Sequence, residues 1–65
     1  MRTLKEIISD RIHLLDDDLD YYGGLMKFAE NGKDEISFNF NLAIYQEKYR
    51  HRCYLMDLLE SYDKQ

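Results

Sequence analysis

Apolar and polar positions follow the period of a helix twice along this chain. From Ile8 the residues Ile12, Leu15, Leu19, Tyr22, Met26 and Ala29 follow at alternating steps of four and three. Ile7, Leu14, Tyr21 and Phe28 run beside that stripe at intervals of seven. A 3.5-residue period with a second flanking column marks a helix that buries a broad seam against another helix. The rhythm returns in Phe38, Leu42, Tyr45, Tyr49, Arg52, Met56 and Leu59, with Ile44, Leu55, Leu58 and Tyr62 widening the face. Two helices of similar length are predicted, over about residues 3–30 and 34–63. They form an all-α antiparallel hairpin, a single domain over 1–65.

The ends of both segments carry matching signals. Thr3-Leu4-Lys5-Glu6 fits a capping box, a hydroxyl three residues ahead of a carboxylate and just before Ile7 and Ile8. Asn31-Gly32 is the turn signal, with Gly32 expected as the left-handed residue past the first helix. Asp34 is placed to cap the second helix, with Glu35 in its first turn. Glu60 and Lys64 close the chain at a helical i,i+4 spacing. Gly23 and Gly24 each cost a helix interior roughly 1 kcal/mol relative to alanine. Both are expected on the outer side of a continuous helix that is soft or kinked there, with close approach of a partner backbone as the functional alternative.

Residues 36–41, Ile-Ser-Phe-Asn-Phe-Asn, alternate strictly, and Asn-Gly is a strong hairpin signal. A β-hairpin over residues 25–40 between two helices is therefore the alternative fold. The charges favour the helical hairpin. With a turn centred on Asn31-Gly32, residues whose numbers sum to about 64 lie level. That sets Asp16, Asp17, Asp18 and Asp20 opposite Lys48, Arg50 and Arg52, with Arg52 reaching Asp16 or Asp18 from a seam position. Exposed pairs of this kind are worth ~0–1 kcal/mol each, so they set register more than stability.

Two helices alone leave much of so broad an apolar face uncovered. A chain of 65 residues also buries little core by itself. A homodimer forming an antiparallel four-helix bundle is therefore expected. The single cysteine, Cys53, excludes an internal disulfide framework and suits a reducing compartment. No apolar run approaches the ~20 residues of a membrane span, and residues 1–6 lack the apolar stretch of a signal peptide. A cytoplasmic protein with no membrane association is expected.

Chemistry-bearing patterns are sparse. There is no Gly-rich phosphate loop, no nucleophile signature and no metalloprotease motif, so no catalytic residue and no cofactor are assigned. His13 and His51 fall level in the hairpin, near Asp17 and Cys53, but no His–His pair at i,i+4 and no Cys-x-x-Cys accompanies them. No metal is expected. A net charge of −4 argues against broad nonspecific affinity for nucleic acid. Lys48, Arg50 and Arg52, interleaved with Tyr49 and Tyr54, keep a dimeric RNA- or DNA-binding regulator as the alternative function.

Six tyrosines without any tryptophan point to a protein partner, because tyrosine and arginine concentrate at interface hot spots. The reading favoured is a small non-catalytic regulator, adaptor or inhibitor bound to a larger protein. Its contacts are placed at Asp16, Asp17, Asp18, Asp20, Arg50 and Tyr54. Phage and mobile-element regulators commonly have this size and lack of catalytic motifs, an analogy of size and composition.

Overall fold

The computed structural model describes residues 2–63, so the Glu60–Lys64 pairing lies outside the described residues. Two helices make up the structure, α1 over Leu4–Asn31 and α2 over Glu35–Asp63, packed side by side as an antiparallel hairpin. Among the described residues there is no strand, which removes the β-hairpin alternative. The alternation in residues 36–41 is overridden by the cap at Asp34. Its carboxylate accepts hydrogen bonds from the Ser37 amide at 3.1 Å and the Ser37 hydroxyl at 2.7 Å, which fixes the first turn of α2. At the start of α1 the Thr3 hydroxyl accepts from the Glu6 amide at 3.2 Å, half of the expected capping box.

The turn differs from expectation by one residue. Gly32 has φ −84° and continues the right-handed conformation; the left-handed residue is Lys33, at φ 57°. The Lys33 amide donates to the Glu30 carbonyl at 3.1 Å and the Asp34 amide to the Ala29 carbonyl at 2.9 Å. This crossed pair of bonds is a Schellman closure, with lysine where glycine usually stands. Because α1 runs on through Asn31, the turn centres on Lys33. Cross-helix pairs accordingly sum to 66 or 68 rather than 64: Asp18–Lys48, Asp16–Arg52 and Lys5–Asp63.

α1 is continuous through Gly23 and Gly24. Gly24 does face open space, but Gly23 is not on the outer side. A β-carbon there would lie 3.7 Å from the Tyr45 ring, within ordinary contact distance.

The core is thin. Among the described residues the buried apolar side chains are Ile8, Ile12, Leu15, Leu19, Ala29 and Leu55, and none is less than 2% exposed. Five of these six belong to the α1 stripe, which follows the expected spacing. On α2 the seam is rotated. Phe38, Leu42, Tyr45, Arg52 and Leu59 are half-buried as expected, but beyond Tyr45 their companions are Lys48 and Leu55. Tyr49 and Met56, expected in the seam, are 50% and 42% exposed. From Tyr45 on, the steps on α2 therefore run three then four, which turns its apolar flank away from α1. The molecule is a rod of 48 × 19 × 12 Å. Its radius of gyration is 14.9 Å, against about 11 Å for a compact chain of this length. Surface dominates such a shape.

Candidate functional site

The acidic run of α1 divides by function as soon as its partners are placed. Asp18 accepts a hydrogen bond from the Lys48 ammonium at 3.0 Å, and that ammonium also lies 5.9 Å from the centre of the Tyr22 ring. Asp16 pairs with the Arg52 guanidinium, and this hydrogen bond together with the opposite charge raises the Arg52 pKa above its ordinary value. All four side chains are only partly exposed, so they tie the two helices across one edge. Asp17 and Asp20 are exposed and enter no ion pair among the described residues.

At 100° per residue, Asp17 and Asp20 lie on the side of α1 opposite its buried stripe. By the same geometry Arg50 and Tyr54 lie on the side of α2 that faces away from α1, and Tyr54 is 64% exposed. The six residues singled out in the sequence are thus not one patch. Two hold the hairpin together, two form its acidic back and two lie on the opposite back. Of the basic run, Lys48 and Arg52 are engaged with carboxylates, which leaves Arg50 beside Tyr45, Gln46 and Tyr49 in a shallow groove. A three-residue phosphate-binding track is not assembled.

A second groove, of about 380 Å³, runs along the hairpin between the helices. Leu15 is at its floor; Arg11, Leu14 and Asp18 line it from α1, and Ile44, Glu47, Lys48 and His51 from α2. His51 faces this groove, whereas His13 is exposed and does not line it, so the two histidines share a level without converging. Among the described residues no three His, Cys, Asp or Glu side chains gather as a metal ion would require. Cys53 is a half-buried free thiol. No helix is long and apolar enough to cross a membrane.

The larger feature is apolar. Among the described residues, twelve large hydrophobic side chains are exposed, twice the number that are buried. Ile7, Leu14, Tyr21 and Phe28, the column flanking the α1 stripe, are 50%, 56%, 63% and 79% exposed. The column is legible in the sequence as the flank of a broad seam, and the hairpin covers only the stripe beside it. Compared with protein-family models, curated proteins and solved structures, the chain matches none.

Proposed function

We propose that this chain is a small non-catalytic binding protein, a regulator, adaptor or inhibitor, that works as a homodimeric four-helix bundle on the surface of a larger protein. The observation that carries this reading is the imbalance between twelve exposed and six buried large or core apolar side chains among the described residues. Monomeric proteins rarely expose contiguous apolar patches beyond a few hundred Å², and larger ones mark interaction sites. Asp17 and Asp20 supply a carboxylate surface for a basic contact on the partner, and Arg50 and Tyr54 a second contact on the other side of the bundle. Asp16 and Asp18 act indirectly, by holding the helices in register.

Affinity capture from host lysate, with and without nuclease, tests the reading. One stoichiometric protein that survives nuclease is the expected result. Its binding should weaken at least about tenfold in a Tyr54→Ala, Asp17→Asn, Asp20→Asn variant, the loss of ~1.4 kcal/mol or more that hot-spot residues give. Recovery of nucleic acid, or binding within twofold of the parent, overturns it.

A further inference from the structure

We propose that the second copy packs antiparallel on the face that carries the long groove, α1 against its counterpart and α2 against its counterpart. This deepens the dimer reading above and rests on it. The groove shows that one side of α1 and one side of α2 open in the same direction, since Leu14 lines it from α1 and Ile44 and His51 from α2. On that side of α1 lies the exposed column from Ile7 to Phe28. On that side of α2 lie Phe40 and Leu58, 67% and 39% exposed. At 100° per residue the α2 column is turned roughly 100° from the seam that joins the two helices, and the α1 column roughly 130°, both toward the side on which the groove opens. A helix in a square four-helix arrangement meets its two neighbours at about 90°, so the α2 column lies close to that direction and the α1 column about 40° outside it. Each helix thus carries one seam for the hairpin and a second apolar column on the groove side.

Area points the same way. Aromatic side chains carry about 150–250 Å² each, so the exposed fractions on this face leave a patch on the order of 800 Å². That is one partner's share of a standard stable interface.

The spacing of the second seam selects an antiparallel copy. A two-fold axis crossing α1 between Asp17 and Asp18 and α2 near Tyr49 sets Ile7 level with Phe28 of the second copy and Leu14 level with its Tyr21. The same axis sets Phe40 level with Leu58 of the second copy. Apolar meets apolar along both helices. The one charged position of the α2 column, Glu47, falls level with His51 of the second copy. That point of α1 and Tyr49 lie at one height in the hairpin, between the levels set by the Asp16–Arg52 and Asp18–Lys48 pairs, so a single axis serves both helices. An isologous interface demands this self-complementarity.

Sedimentation across a concentration series, with two sets of variants, tests the face. Leu14→Glu and Phe40→Glu each replace an exposed residue outside the hairpin's own core, and each is expected to raise the dimer dissociation constant at least about a hundredfold by burying an unpaired charge. Tyr49→Glu and Met56→Glu, on the opposite side, should leave it within about threefold. A spin label on Glu30→Cys in a Cys53→Ser background reads the direction without disturbing either face. The antiparallel copy sets the labels apart by a distance comparable to the 48 Å length of the molecule. A parallel copy would hold them within about two helix diameters, roughly 20 Å. A dimer that survives Leu14→Glu and dissociates with Tyr49→Glu, or labels at the short distance, overturns this face or direction while the dimer stands. A monomer at every concentration overturns the dimer itself, and affinity capture still reports on partner binding.

Discussion

The two ends of this rod are held together by different means. At the open end, where the chain starts and stops, Ile8, Ile12, Leu15 and Leu55 form the packed cluster, with Leu59 against it. Lys5 and Asp63 add an ion pair at 2.5 Å there. At the turn end only Ala29 is buried, while Phe28, Ile36 and Phe40 are 79%, 85% and 67% exposed. Covalent connection explains the difference. A short turn keeps helix ends together at little entropic cost, so the closed end holds with sparse packing. The open end has no such tether and would separate without burial. A hairpin therefore needs its core farthest from its turn, and its turn end is where apolar surface stays exposed.

That contrast can be broken at the packed end first. Leu15→Ala removes a side chain from the centre of the cluster and should cost about 2–4 kcal/mol, read as a lower urea midpoint. A loss below about 1 kcal/mol would show that the open end is not where stability resides. Gly24→Ala, in open space within α1, should add roughly 1 kcal/mol by restoring helix propensity. An unchanged or lowered midpoint would mean that the glycine serves a contact the hairpin itself does not contain.

The turn end responds to backbone chemistry rather than to burial. Lys33→Gly relieves the left-handed strain at φ 57° and should stabilise by up to about 1 kcal/mol. Acid tests the cap beside it. Hydrogen bonds from Ser37, first its hydroxyl and then its amide, hold the Asp34 pKa below the ordinary 3.8. A carboxylate with a lowered folded pKa contributes stability that is complete above its unfolded pKa and is lost as pH falls through the folded value. Asp34→Ala should therefore lower the melting temperature at neutral pH, and the gap to the parent should close as pH falls below the ordinary 3.8 and through the folded value. A constant gap through that window would assign the effect to something other than the charged cap. The smallest expected effect belongs to Phe28→Ala, within about 0.5 kcal/mol for the dilute monomer because the side chain is already in water. A large loss under dilute conditions would place Phe28 in the hairpin's own packing.

Much of this could be read in order from the residues. The α1 stripe, both caps, the pairing of Asp16 and Asp18 with the basic run and the exposure of Tyr54 follow from period, local hydrogen bonding and opposite charge. These are short-range rules, each satisfied within a turn or two of helix. The division of the acidic run was less legible, since four neighbouring aspartates look alike until the second helix takes two of them.

What the amino-acid order determined by itself was the apolar stripe of α1, the caps and the pairing of the acidic with the basic run, because each follows from local period, hydrogen bonding within one turn or opposite charge. Only the tertiary structure decided which column of α2 meets α1. Beyond Tyr45, Tyr49 and Met56 offered one apolar partner for the shared column, and Lys48 and Leu55 offered another. Period alone weighs the first more heavily. The second prevailed in the hairpin because Lys48 and Arg52 reach Asp18 and Asp16 from it while Leu55 completes the cluster at Ile8, Ile12 and Leu15. That rotation sets Tyr49 and Met56 outward.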